Sequence, residues 1–211
     1  MINVKDQKYY CIEGLPRIEQ CRSIFKAAAM LDAILMPEWE YRYYSFNSKW
    51  DTNEQMGSMR DGGGDHYFAL FNKNGLIIKG FDKEYEINNE NNIEKIFNGV
   101  PDTFRDFLNE PAFVFEETTF IIWTQYEKEQ WLGSKDYSEE YCGLLQILLG
   151  GAEYYHSWAS QYYEIDLELA LVRRMFELEP IDNSVLKQLN KDLEIADIVD
   201  DLEEIGYPYV K

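Results

Sequence analysis

The clearest hydrophobic pattern near the start of the chain is that of an amphipathic helix over residues 16–35. Apolar residues recur there at spacings of three and four, as they do on the buried face of a helix. These residues are Ile18, Cys21, Phe25, Ala28, Leu31 and Leu35. Pro16 suits the first helical turn, and Pro37 predicts that the helix has ended before it.

The pattern then changes to that of a sheet. Residues 39–46 and 55–60 are predicted to be strands, because they alternate and are rich in residues that favour strands. Residues 66–71 and 76–81 are almost continuously apolar, and residues 72–75 between them carry an Asn-Gly pair. This combination predicts a hairpin near the centre of the sheet.

The region after the hairpin predicts a mixed set of short elements. Residues 88–92 are polar and predict a loop. Residues 101–108 predict a short helix, and residues 113–115 and 118–124 predict one or two further strands.

From about residue 126 the pattern is helical. Ser138 is a candidate N-cap for the first of these helices, which Gly150 and Gly151 would end. Asp192 is a candidate cap for the last helix, which Gly206 and Pro208 would end. The predicted helices cover residues 138–149, 152–163, 165–178, 183–189 and 193–205.

This order of elements predicts an α+β fold with an N-terminal helix, a central and mostly antiparallel sheet, and a helical C-terminal third. We expect a single domain over residues 1–211, with the helix and sheet core in residues 1–126. Whether the helical residues 127–211 pack as a subdomain is left open by the sequence.

The composition excludes a disordered chain, since 45% of the residues are hydrophobic and 16% are aromatic. The N-terminus lacks a signal-peptide pattern, and no apolar run is long enough to span a bilayer. The three cysteines, Cys11, Cys21 and Cys142, form no CxxC pair. We therefore predict reduced thiols and a cytoplasmic location.

The net charge of −19 is unevenly distributed. Residues 1–60 carry 8 basic and 8 acidic side chains, whereas residues 61–211 carry 12 basic and 31 acidic ones. Direct binding to nucleic acid or to an anionic membrane is disfavoured, because both need clustered Lys and Arg. A basic protein partner would be attracted, although acidity that only keeps the protein soluble is an equal alternative.

A glycine run invites a search for chemistry. Residues 61–66 read Asp-Gly-Gly-Gly-Asp-His, but the run leads into a strand and has no following Lys-Ser or Lys-Thr. It therefore differs from a phosphate-binding loop, and a loop that connects two strands is the favoured interpretation. The alternative is a ligand pocket around Asp61, Asp65 and His66. No catalytic centre, metal site or cofactor site is predicted, because no nucleophile signature and no metal-ligand spacing is present.

A stretch between Lys135 and Arg173 contains no lysine or arginine but many carboxylates and tyrosines. Aromatic residues surrounded by acids are typical of surfaces that bind basic proteins. The alternative is a helix whose aromatic residues face the core and whose acids face water. The predicted partner-binding residues are Asp136, Glu139, Glu140, Glu153, Tyr154, Tyr155 and Glu164.

Part of the chain resembles the SUKH superfamily. The residues concerned are the Gly63–Phe71 strand entry, the Gly75–Ile78 strand, the acids Asp82 and Glu84, and the Thr103–Leu108 helix with its Phe-x-x-Phe-Leu pattern. The resemblance implies an α+β fold. It also implies an immunity protein that binds and blocks a bacterial toxin, or a relative of cell-wall-synthesis regulators.

The leading prediction is therefore a cytoplasmic protein that binds a basic toxin domain and is not an enzyme. One alternative is a regulatory or scaffold protein without an inhibitory role. The other is a small-ligand-binding protein or hydrolase that uses a pocket near Asp65 and His66.

Overall fold

The structure is a computed structural model, which describes residues 10–83, 96–97, 99–128, 130–133 and 143–210. Its strands are β1 (Tyr10–Ile12), β2 (Tyr44–Asp51), β3 (Glu54–Arg60), β4 (His66–Asn72), β5 (Gly75–Phe81), β6 (Phe120–Gln125) and β7 (Trp131–Gly133). They form one sheet in the order β1-β7-β6-β5-β4-β3-β2, and each neighbouring pair is antiparallel.

The helices lie mainly at the two ends of the chain. They are α1 (Ile18–Leu35), α2 (Arg105–Leu108), α3 (Gln146–Tyr162), α4 (Leu169–Phe176), α5 (Asn183–Leu189) and α6 (Val199–Ile205). Single 3-10 turns occur at Trp39–Tyr41, Asp102–Phe104, Pro111–Phe113 and Ile195–Asp197. The predicted α+β class, with an N-terminal helix, a central antiparallel sheet and C-terminal helices, is confirmed.

The predicted hairpin is β4 and β5, and it lies in the middle of the sheet. Its register runs from His66 opposite Phe81 to Asn72 opposite Gly75. The side-chain oxygen of Asn72 accepts hydrogen bonds from the backbone N–H groups of Asn74 and Gly75, which fixes the turn. Both arms are buried on both faces, as continuous apolar runs predict.

The two faces of the sheet have different covers. On the first face, α1 and the C-terminal helices pack on side chains such as Phe46 and Phe71. Buried alanines at 27–29 and at Ala33 let α1 approach the strands closely. On the second face, residues of the 96–115 segment, including Phe107 and Phe113, pack on the middle strands.

A buried carboxylate links three elements of the first layer. Asp32 lies in α1 and is inaccessible to solvent. Its Oδ2 accepts hydrogen bonds from the backbone N–H groups of Tyr43 (2.9 Å) and Tyr44 (2.7 Å), and its Oδ1 accepts one from the Tyr155 hydroxyl (2.6 Å). Burial raises the pKa of Asp32 from 3.8 to about 6, although these hydrogen bonds oppose the shift.

The predicted strand at residues 39–46 is wrong in its first half. Residues Trp39–Tyr41 form a 3-10 turn, and β2 begins only at Tyr44. At this boundary the N–H of Tyr43 donates to Asp32, although the Tyr43 carbonyl still accepts from the N–H of Arg60 in β3.

The predicted strand at residues 113–115 is also wrong. A 3-10 turn covers Pro111–Phe113, with the carboxylate of Glu110 accepting a bond from the N–H of Ala112. Val114 follows with a positive φ of 46°, which is incompatible with a strand.

The C-terminal helices follow the predictions in part. Residues 134–142, which include the proposed cap Ser138, lie outside the described residues. The predicted break at Gly150 and Gly151 is confirmed, because Gly151 has a non-helical backbone with a φ of 52°, and α3 consists of two helical pieces joined at this kink. Glu194, not Asp192, caps the 3-10 turn that precedes α6, because its carboxylate and that of Asp197 form a reciprocal capping box.

The C-terminal helices share one hydrophobic cluster with α1 and the sheet. In the described part of the chain, no helix combines the length and the apolar character needed to cross a bilayer.

The Asp32→Asn variant tests the cost of the buried charge. Since the pKa of Asp32 is raised in the folded state, proton binding stabilises the fold as pH falls through about 6 toward 4. We expect the free energy of unfolding of the wild type, relative to Asp32→Asn, to rise by roughly 2–3 kcal/mol over that range. Urea unfolding at a series of pH values measures this difference.

The exposed Asp200→Asn variant is the control for the loss of one carboxylate at the surface. A flat difference for Asp32→Asn would show that the buried carboxylate does not titrate in this range.

Candidate functional site

A groove of about 610 Å³ opens where β2 begins, β3 ends and α3 ends. Three aromatic side chains with large exposed fractions line it, namely Trp39 at 60%, Tyr41 at 60% and Tyr162 at 50%. The volume lies within the range of about 300–1,000 Å³ typical of ligand sites. We call this feature the aromatic groove.

The 3-10 turn that carries Trp39 and Tyr41 is held in place by Arg42. The guanidinium of Arg42 donates hydrogen bonds to the backbone oxygens of Met36 (3.0 Å) and Pro37 (2.8 Å). It also forms a two-bond ion pair with Asp201 of α6. One wall of the aromatic groove is therefore fixed to both α1 and the C-terminal region.

The opposite wall is set by ring packing at the end of α3. The ring of Tyr43 lies 4.5 Å from Trp158 and 5.6 Å from Tyr162, and Trp158 stacks on Tyr162 at 5.1 Å. The chain then turns at Glu164, whose φ is 53°. Tyr162 therefore has a defined position while half of its surface remains in solvent.

The charges around the aromatic groove are unbalanced. Its lining contains the acids Glu40, Asp61 and Glu164 and the bases Arg42 and Arg60. The charge of Arg42 is compensated by Asp201 outside the groove. Three carboxylates therefore face one uncompensated guanidinium, and the rim attracts cations.

The glycine run forms a closed loop that uses its own polar groups. Asp61 Oδ1 accepts hydrogen bonds from the N–H groups of Gly63 (2.7 Å) and Gly64 (2.8 Å). Asp65 Oδ1 accepts one from the N–H of Lys83, and the Lys83 ammonium donates to the Gly63 carbonyl. The two loop amides therefore point at a carboxylate of the chain, which leaves them unable to hold a phosphate.

Beneath this loop lies a buried pair of bases, His66 and Lys79. The Nδ1 of His66 lies 3.0 Å from the Gly64 carbonyl and so carries the proton, and its Nε2 accepts from the Lys79 ammonium at 3.2 Å. The ammonium also lies within hydrogen-bond distance of the carbonyls of Phe113 (2.8 Å), Val114 (2.8 Å) and Glu117, so that its three N–H groups are shared among four acceptors.

Burial lowers the pKa of both bases. Burial lowers the pKa of Lys79 from 10.5 to about 8. Burial and the neighbouring Lys79 charge also lower the pKa of His66 below its usual 6.5. Because Lys79 binds carbonyls on the 111–117 segment, its main effect is to attach that segment to the sheet.

The predicted ligand residues Asp61, Asp65 and His66 do line one small cavity of about 340 Å³, beside Glu117 and Val114. However, the hydrogen bonds above already occupy an oxygen of each aspartate and both ring nitrogens of His66. Within the described ranges, no cluster of three or more His, Cys, Asp or Glu side chains could hold a metal ion. Cys21 is buried, which raises the pKa of its thiol.

The predicted partner-binding residues are dispersed. Asp136, Glu139 and Glu140 lie outside the described residues. Among the others, Tyr155 is fully buried against Asp32, so its assignment to a partner surface is wrong. Its position three residues before Trp158 is core spacing, which the acidic surroundings obscured.

Three predicted partner-binding residues remain. Glu153 forms an exposed ion pair with Arg173 at 2.8 Å, and Tyr154 is half-buried against the core. Glu164 alone lines the aromatic groove.

Sequence reasoning missed Trp39, Tyr41, Arg60 and Tyr162 as a group, because three separate elements bring them together. One local signal was available. Residues 37–41 read Pro-Glu-Trp-Glu-Tyr. A proline directly after a helix, followed by alternating acidic and aromatic residues, is compatible with an exposed turn as well as with a strand.

Comparisons with protein-family models, with curated proteins and with solved structures give no significant match for this chain.

The Lys79→Met variant tests the role of the buried ammonium. It removes a donor from three carbonyls and from His66, so we expect a loss of about 3 kcal/mol in the free energy of unfolding. Urea unfolding is the measurement. Lys73→Met, at the exposed hairpin turn, is the matched control and should stay within about 0.5 kcal/mol of the wild type. Equal effects in the two variants would contradict this role.

Proposed function

We propose that this chain is a protein-binding protein that captures a basic partner at the aromatic groove. The observation that carries the proposal is the set of three half-exposed or largely exposed rings, Trp39, Tyr41 and Tyr162, around one 610 Å³ groove. Tyrosine and tryptophan provide large contact areas with few rotatable bonds, and they dominate the energies of protein interfaces.

The charge distribution supports a basic partner. The rim carries Glu40, Asp61 and Glu164, and the whole chain has a net charge of −19. Charges of one sign around a cleft raise the rate of encounter with the opposite charge, and this effect weakens as salt screens it. The proposed partner therefore inserts apolar or aliphatic groups between the rings and places Lys or Arg at the rim.

An immunity protein that neutralises a basic toxin domain is the biological setting that we propose for this binding. It is supported by the SUKH resemblance and by the acidity, and it makes the product of an adjacent gene the first partner to test. A regulatory or scaffold protein would use the same groove without blocking an activity.

The small-ligand alternative near His66 is less well supported. The polar groups that converge there already bind one another, as described above, whereas the rings of the aromatic groove remain in solvent. We therefore place the binding function at the groove.

Removing the groove rings should weaken the complex. We expect Trp39→Ala combined with Tyr162→Ala to raise the dissociation rate of the complex with the co-expressed adjacent gene product by about 30-fold, corresponding to about 2 kcal/mol. The control is Leu149→Ala combined with Val210→Ala, which removes two exposed apolar side chains elsewhere. Surface plasmon resonance measures both pairs, and equal effects would exclude the groove as the binding surface.

Neutralising the rim acids should mainly slow association. Glu40→Gln combined with Glu164→Gln is expected to reduce the association rate about three- to tenfold at low salt, with a smaller effect at high salt. Glu177→Gln combined with Glu203→Gln removes the same charge from exposed positions outside the groove lining.

An association rate that responds equally to both charge pairs would mean that net charge alone drives encounter. Failure of the adjacent gene product to form any complex would contradict the immunity assignment.

A further inference from the structure

The floor of the aromatic groove differs in chemistry from its rim. Ser45 of β2 and Ser58 of β3 lie directly opposite each other in the sheet register, and both line the groove. Ser58 is opposite Phe68, whose ring belongs to the second face. The floor therefore contains two short hydroxyl side chains on that face of the sheet.

Ser58 is only 5% exposed as a residue, but its hydroxyl oxygen still reaches solvent and makes no hydrogen bond to another residue in the described part of the chain. Because Ser58 lines the groove, its hydroxyl is available to a bound ligand.

Arg60 lies two residues further along β3, on the same face as Ser58. Its guanidinium carbon is 5.9 Å from the ring centre of Trp39 and 5.4 Å from that of Phe68. Among the described residues, no carboxylate lies within ion-pair distance of it, despite the 39 acidic residues of the chain. The two rings thus hold an exposed and uncompensated guanidinium in the same lining as the two serines.

We propose that Ser45, Ser58 and Arg60 bind the terminal carboxylate of a partner protein whose last residue is Lys or Arg. This inference rests on the proposed function and names the part of the partner that enters the groove. A guanidinium with adjacent hydroxyls matches the geometry of a carboxylate, which it can bind through two parallel hydrogen bonds.

The distribution of charge selects this ligand over other anions. Arg60 supplies a cation to the groove lining, whereas Glu40, Asp61 and Glu164 supply three carboxylates to the same lining. A C-terminal Lys or Arg presents a carboxylate and a side-chain cation joined by an aliphatic stem, which matches the floor, the rim and the rings between them. A phosphate has more negative charge than a carboxylate, so Glu40, Asp61 and Glu164 would repel it more strongly. The loop amides that could bind a phosphate donate to Asp61 instead.

The test compares two pools of N-acetylated hexapeptides that end in Arg or Lys, one with a free C-terminal carboxylate and one with a C-terminal amide. Calorimetric titration of the full chain should show that the free-acid pool binds about tenfold more tightly than the amide pool. Arg60→Met should abolish this preference, and Ser58→Ala should reduce it. Arg105→Met, which removes an exposed arginine of α2, should leave it unchanged.

Equal binding of the two pools would overturn the inference. If Glu40→Gln combined with Glu164→Gln weakened the binding of both pools in that case, the proposed function would stand without the inference. Free arginine that displaces the pool at equal concentration would point to a metabolite as the ligand and not to a protein terminus. Inorganic phosphate that displaces the pool better than acetate does would assign the floor to phosphate.

If neither pool binds at millimolar concentration, the inference fails as well. The complex with the adjacent gene product then decides separately whether the proposed function survives.

Discussion

The arrangement of the first layer depends on one buried carboxylate. Asp32 accepts hydrogen bonds from the start of β2 and from α3 while it is itself part of α1. Three segments that are far apart in the sequence therefore meet at one side chain that water cannot reach. A buried charge is costly unless it is fully hydrogen-bonded, and this requirement determines where β2 begins and how the chain leaves α1. The turn that carries Trp39 and Tyr41 lies between α1 and the residues that Asp32 binds.

The second constraint is the unequal cover of the two sheet faces. Among the described residues, α1 and the C-terminal helices cover the first face, and the 96–115 segment, which Lys79 attaches to the middle of the sheet, packs on the second. On β2 and β3 that segment reaches Trp50 and Met56. The aromatic groove lies at the other end of these two strands, where it is lined by Ser45 and Ser58 and by Tyr43 and Tyr163 of the first-face cluster.

Local patterns were sufficient for most of the fold, and tertiary contacts explain the exceptions. The spacing of Ile18 to Leu35 and the Asn-Gly turn predict α1 and the central hairpin because both depend on nearby residues. Residues 39–46 alternate like a strand, but Asp32 of α1 binds the N–H of Tyr43, and Arg42 binds the backbone oxygens of Met36 and Pro37. The groove could not be predicted in the same way, since Trp39, Arg60 and Tyr162 converge from three elements. Conversely, Asp61, Asp65 and His66 were correctly placed near one another because they are adjacent in the sequence.

The sheet order has a consequence for the sequence of events in folding. Strands β2 to β5 follow one another in the chain and pair with their immediate neighbours, so each pairing closes only a short loop. The edge strand β1 instead pairs with β7, which joins residue 10 to residue 133. Long loops close at a greater entropic cost and form later. During synthesis, the meander can therefore assemble as it leaves the ribosome, whereas the first strand must wait for more than half of the chain to emerge.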